Sequence, residues 1–118
     1  MEKDAKEAII CDMAVALRVA LAAVRPDAYL EWKHMFGGAG FYAGGRMFAA
    51  WFGEGLALKL PEDARADLLQ IEGAAPTWAK DYVETPAVFL DNPTLLESWV
   101  ERSLDYVTAL EAKKHKRR

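Results

Sequence analysis

Over the first two dozen residues the apolar positions recur every three or four places. Ile9, Met13, Leu17, Leu21 and Val24 form one stripe, the periodicity of an amphipathic helix, predicted here over residues 2–24. Glu2, Asp4 and Glu7 fall in its early turns, where the positive end of the helix dipole favours carboxylates. Arg25-Pro26 stops it, because the residue before a proline is pushed out of the helical region. From Tyr29 to Leu60 the period changes. Apolar and aromatic runs alternate with Gly37-Gly38, Gly44-Gly45 and Gly53-Glu54-Gly55, and glycine supplies the positive φ that tight hairpins demand. Strands are predicted at 29–36, 39–43, 46–52 and 55–60, joined as an antiparallel meander, with Gly37 and Gly38 assigned to the first hairpin turn. Leu56, Leu58 and Leu60 alternate with Ala57 and Lys59, the period of two expected of a half-buried strand.

Pro61 opens a short helix, with Glu62 and Asp63 in its first turn and Gly73 past its end. Trp78 to Leu90 reads as extended, with Pro86 marking an edge position or a bulge. For the last helix Asn92 serves as N-cap and Pro93 as the first helical residue, while Leu96, Trp99, Val100, Leu104, Val107 and Leu110 form the buried stripe. The order α-β-β-β-β-α-β-α predicts an α+β fold. Its simplest form is a two-layer α/β sandwich, an antiparallel sheet of about five strands with helices on one face.

At 118 residues the chain is long enough for one domain with its own core. We place that domain at residues 1–112, followed by a basic tail at 113–118 expected to be disordered. The tail holds Lys113, Lys114, Lys116, Arg117 and Arg118, so the other ten cations face eighteen acids and the body carries a net charge of −8. An acidic body repels phosphate backbones, which leaves the tail as the route to weak, salt-sensitive nucleic-acid contact. The single cysteine, Cys11, excludes an internal disulfide and fits a reducing compartment. Asp12 and Arg18 break the apolar stretch leading to Val24, and acids replace the basic flank of an export signal. The expectation is a cytoplasmic protein that spans no membrane.

No catalytic constellation emerges. Ser98 and Ser103 lie in the middle of the last helix, Cys11 lies within the first, and His34 and His115 have no metal-ligand spacing. The acidic pair Glu62-Asp63 is accounted for as a helix start, and no two carboxylates can be nominated for acid–base work. Gly38-Ala39-Gly40-Phe41-Tyr42-Ala43 fits the loose G-x-G-x-x-A pattern, but a strand rather than a helix is predicted after it, so no phosphate-binding helix N-terminus follows. The residues therefore point to no cofactor and no enzyme activity. Arg46, Lys59 and Lys80 are the candidate interaction or anion-binding residues, with Trp51 or Trp78 as aromatic walls. On a sheet covered on one face, alternate side chains reach the other face, and Lys59 lies opposite the Leu56/Leu58/Leu60 set.

Met35-Phe36-Gly37-Gly38, then Gly40-Phe41, Gly45-Arg46-Met47-Phe48 and Leu58-Lys59-Leu60 resemble the N-terminal domain of the TfoX/Sxy family. Ala79-Lys80-Asp81-Tyr82-Val83 is similar to its Met-Lys-Gly-Tyr-Val strand, with Asp81 standing where glycine is common. Leu95 to Arg102 resembles its final-helix Leu-x-x-Trp-Val segment. The resemblance implies a two-layer α/β fold and a stand-alone version of a regulatory domain, without the second, helical domain of full-length members. It also implies regulation of natural competence alongside the cyclic-AMP receptor protein at promoters, and it carries over no catalytic residue. The expected partner is another protein or a second copy of the chain.

Overall fold

A computed structural model describes residues 3–116, with only the backbone described for residues 114–116. The chain runs α1 (Lys3–Val24), β1 (Leu30–Met35), β2 (Gly38–Ala43), β3 (Arg46–Trp51), β4 (Leu56–Lys59), α2 (Glu62–Leu69), β5 (Ala75–Pro76), β6 (Tyr82–Glu84), α3 (Val88–Asp91) and α4 (Glu97–Lys116). One antiparallel sheet has the order β1-β2-β3-β4-β6-β5. The α+β class, the open antiparallel sheet and the four-strand meander agree with the sequence reading. The sheet has six strands because Ala75–Pro76 adds a two-residue edge to β6.

The helices and the sheet meet through the stripes that the periodicity marks. Ile10, Met13, Leu17 and Leu21 of α1 are buried, as are Val100, Leu104 and Val107 of α4. From the sheet they meet Phe41, Phe48, Trp51, Leu56, Leu58 and Val83. Ala14, Ala16 and Ala20 are buried as well; short side chains at these positions let α1 approach its neighbours closely. Arg25, just beyond α1, donates to Glu101 at 3.2 Å and to Asp105 at 2.6 Å on α4, tying the two helices together at their surface.

A bulge interrupts the β2–β3 ladder. Phe41 pairs with Ala49 but Tyr42 pairs with Met47, so Phe48 is an extra residue. It turns two consecutive side chains, Phe48 and Ala49, into the core. A bulged residue is left out of the strand ladder; here the buried Ser103 hydroxyl of α4 donates to the Phe48 carbonyl at 2.9 Å.

Three segments depart from the sequence reading. The stretch 78–90 is extended only at Tyr82–Glu84. Pro86 ends the pairing because it has no N–H to give, and Val88–Asp91 then forms a helical turn that delivers Phe89 to the core. The strand before Pro86 is interior, between β4 and β5, and not an edge. Asn92 makes no side-chain cap; its carbonyl accepts from Leu95 at 2.9 Å, Pro93–Leu96 is a 3-10 turn, and α4 starts at Glu97. At the other end α4 continues through Lys116, so the basic tail begins as helix, while Arg117 and Arg118 lie outside the described residues.

The first hairpin turns on Phe36 and Gly37, at φ 48° and 78°, the two positive angles of a type I′ turn. Gly38 is already the first residue of β2, and a Cβ there would stand 1.9 Å from the Trp51 carbonyl oxygen. Gly37 has open space around it, so its requirement is conformational alone. Gly37→Ala is therefore expected to cost about 1–2 kcal/mol from the left-handed backbone. Gly38→Ala is expected to cost about 1–3 kcal/mol from forced displacement of backbone and to shift the β2–β3 amides. Urea denaturation gives the two losses, and amide spectra of both variants separate the two causes.

Candidate interaction face of the sheet

The face of the sheet turned away from the helices follows from the register. Across five strands the pairing places Lys33, Gly40, Ala50, Ala57 and Glu84 in one row. The neighbouring row holds Glu31, Tyr42, Met47, Lys59 and Tyr82. Ala50, Ala57 and Tyr82 form a small second apolar cluster with Met47, Phe52 and Ala79 packed on it. Gly40 is flanked by the Met35 and Met47 sulfurs, which would stand 2.8 and 2.7 Å from a Cβ at that position. The floor of this face is thus made of small residues, over which methionines and aromatic rings spread.

The rings form a continuous group. Phe52 lies against Tyr82 with centroids 5.6 Å apart and against Trp78 at 4.9 Å, and Trp78 meets Phe36 edge-on at 6.1 Å. Trp78 is 72% exposed and Phe36 80%. Trp78 reaches this position from the loop before β6. The Thr77 hydroxyl shapes that loop, donating to the carbonyls of Ala79 at 3.1 Å and Tyr82 at 2.9 Å. Two lysines stand over rings of the same face, Lys33 at 5.0 Å from the Tyr42 centroid and Lys59 at 5.9 Å from that of Tyr82. Burial pushes the Tyr82 phenol well above the ordinary range, and the nearby Tyr42 phenol and Asp81 carboxylate push it further.

Phe36 combines exposure with a left-handed backbone. A bulky residue at positive φ is an outlier, and its backbone strain is not offset by burial of the ring. Asp81, at φ 73°, is the second such residue and has a local explanation. Its carboxylate takes the Arg65 guanidinium at 2.8 Å and the Tyr106 hydroxyl at 3.2 Å. Arg65 also donates to the Leu60 carbonyl at 2.6 Å, and Leu60 N–H donates to the Asp81 carbonyl at 2.9 Å. This network joins α2, α4 and the turn into β6, holding the turn that presents Tyr82. A left-handed residue here also explains why glycine suits the position and why aspartate, which tolerates αL, can replace it. The Tyr106 phenol is itself raised, by desolvation first and then by Asp81.

The three candidate cations do not converge. Lys59 is on the uncovered face beside Tyr82. Arg46 pairs across the β2–β3 hairpin with Ala43, a core residue, and its guanidinium is ion-paired with Glu111 of α4. That places it on the helix side. Lys80 is exposed in the turn before β6. Trp51 is buried against the helices and donates its indole N–H to the Glu54 carbonyl at 3.2 Å, whereas Trp78 does wall the uncovered face. Lys33, Tyr42, Phe52 and Phe36 join the face without having been singled out by the sequence reading. The alternation in Glu31-Trp32-Lys33-His34-Met35 was the available signal for Lys33. Among the described residues no group of three or more His, Cys, Asp or Glu could hold a metal ion, and no helix is long and apolar enough to cross a membrane.

Compared with known proteins, residues 22–107 match the family described as TfoX N-terminal domain. No curated protein and no solved structure matches the chain.

Replacing Phe36 by asparagine, which tolerates positive φ, is expected to raise stability by about 1 kcal/mol, read as a higher urea midpoint. The Tyr82 phenol keeps its proton in the folded state, while an unfolded chain releases it near pH 10. Stability is therefore present in full below about pH 10 and falls as pH rises beyond it. Urea midpoints measured from neutral to alkaline pH should show that fall, and Tyr82→Phe should make it shallower.

Proposed function

This chain belongs to the TfoX N-terminal domain family, and from that premise we propose that it works in the cytoplasm as a non-enzymatic regulatory and protein-interaction domain. Its working surface is the uncovered sheet face. The observation that carries this reading is the joined group Phe36–Trp78–Phe52–Tyr82, in which Phe36 and Trp78 are mostly exposed. Aromatic side chains give large contact area at small entropic cost, which is why they dominate the centres of protein interfaces. The strain carried at Phe36 supports the same reading, because the ring is 80% exposed and its one ring contact within the fold is with Trp78, itself exposed. Regulation of natural competence at promoters, the role that the family resemblance implies, is compatible with a domain that acts by contacting other proteins. The acidic body argues against direct duplex binding, since it repels the phosphates that supply most non-specific affinity.

A second reading, a small-anion site on the same face, draws support from Lys33 and Lys59 standing over the Tyr42 and Tyr82 rings. Its lysines differ in part from the Arg46, Lys59 and Lys80 set nominated from sequence. A ligand that binds only the folded state raises the melting temperature, so melting in phosphate and in aromatic carboxylates tests it. Equal shifts for the wild type and for Lys33→Ala/Lys59→Ala would reject an anion site here.

Affinity capture from extracts of the host cell tests the leading reading. Wild type is compared with Phe36→Ser/Trp78→Ser and with a control altered on the helix side, Asp105→Ala. The expected outcome is a set of captured proteins lost only with the aromatic variant. Identical capture by all three, with folding intact by circular dichroism, would overturn it.

A further inference from the structure

The charges on the uncovered face follow a self-matching order. On β1, Glu31 belongs to the row of Tyr42 and Lys33 to the row of Gly40. At the far side the order is reversed: Lys59 shares the first row and Glu84 the second. A two-fold axis lying in the plane of the face and running across the strands exchanges the two rows and keeps left on left. It sets Glu31 against Lys33 of a second copy, and it places Lys59 over Ala57, beside the second copy's Glu84 on the adjacent strand. We propose that the occupant of the uncovered face is a second copy of this chain, packed sheet to sheet about this axis. The proposal rests on the reading of that face as an interaction surface, and it names the partner.

Three further observations favour this occupant. First, two acids and two lysines leave the face neutral, although the folded body is strongly acidic. Neutrality removes the like-charge repulsion that would otherwise oppose self-association. Second, the small floor of Gly40, Ala50 and Ala57 carries a layer of methionine and aromatic side chains, an apolar layer of the kind that fills the space between facing sheets. Third, an isologous contact uses each patch twice and closes on itself, so one mixed-charge, ring-bearing face is sufficient. Edge-to-edge pairing is the competing geometry. It is blunted at β5, where Pro76 cannot donate.

The size of the face predicts the strength. Five to six strands about 4.8 Å apart, each about five residues long, give roughly 450 Å² per copy. That lies at the transient end of known interfaces, so the dimer should be concentration-dependent.

Sedimentation equilibrium of the purified full chain tests this directly. The expected mass rises from 13.1 kDa towards twice that value as concentration increases from micromolar towards millimolar. Lys33→Glu/Lys59→Glu makes the face acidic and Glu31→Lys/Glu84→Lys makes it basic. Each should stay monomeric alone, and an equimolar mixture should recover the dimer. Monomeric wild type throughout the range would overturn the proposal, and so would a mixture that fails to associate. Lys59→Glu alone tests the edge geometry: a dimer of unchanged strength would mean pairing through β1 and would also overturn it.

Should the charge variants fail to fold, wild type alone decides. Light and isotopically heavy chains are mixed and joined with a carbodiimide, which links amines to carboxylates in contact. Mixed-isotope links Glu31–Lys33 and Lys59–Glu84 are expected; their absence overturns the proposal. A monomeric wild type that still captures partners through Phe36 and Trp78 would sink self-pairing and leave the interaction reading standing. Capture that ignores those residues in a proven face-to-face dimer would do the reverse.

Discussion

The bond from the Ser103 hydroxyl to the Phe48 carbonyl joins the two layers at the point where the sheet departs from regularity. A buried carbonyl without a partner costs about 1–3 kcal/mol, so a bulge inside the core needs a donor from the opposing layer. α4 supplies it from a position with no exposure at all. The bulge lets Phe48 and Ala49 both face the helices and still brings Met47 level with Tyr42 on the other side. Without the extra residue, the first half of β3 would be reversed relative to β2, because a slip of one residue exchanges the two faces of a strand. The helix-facing core and the uncovered face therefore depend on the same local irregularity.

The polar network of Arg65, Asp81 and Tyr106 does comparable work at the other end of the uncovered face. It fixes a left-handed residue just before β6 and bonds the turn to the end of β4 through Leu60. That sets the position of Tyr82 against Lys59, and of Trp78 against Phe52. The rings on this face are thus presented by a turn held by two helices of the opposite layer, α2 and α4, and by the end of β4. Only Phe36, at its strained hairpin, stands free of such support. The floor of this face, Ala50 and Ala57, is fully buried, whereas Trp78 and Phe36 at its rim are exposed.

The face also shows how a small acidic domain can carry a neutral patch of surface. Several of its acids elsewhere are taken up within the fold, Glu101 and Asp105 by Arg25, Glu111 by Arg46 and Asp81 by Arg65. Arg102 stands over the Trp99 ring and also reaches Asp67. Arginines thus serve the helical layer, whereas the uncovered sheet face has lysines. The guanidinium's planar fork suits fixed pairing inside one chain, whereas the ammonium is a strongly hydrated charge on a flexible stem.

Hydrophobic periodicity determined the two long helices, periodicity with glycine punctuation the four-strand meander, and Pro61 with Gly73 the short helix, and together these determined the class of the fold. Those features rest on patterns of two or four residues, and burial of one stripe against another leaves little choice. It also placed Lys59 opposite the leucine face. What only the tertiary structure decided depends on contacts between distant segments. Gly38 looks like half of a turn in the sequence, and its real constraint is the Trp51 carbonyl thirteen residues on. Arg46 looks like a partner for Lys59, yet the bulge and Glu111 of α4 draw it to the helix side. Ser103, in the middle of a helix, gave no sign of the strand carbonyl it satisfies. The segment from Trp78 to Leu90 carries enough apolar residues for a long strand. Pairing with β4 uses only Tyr82, Val83 and Glu84, because Asp81 turns the chain before and Pro86 withholds a donor after.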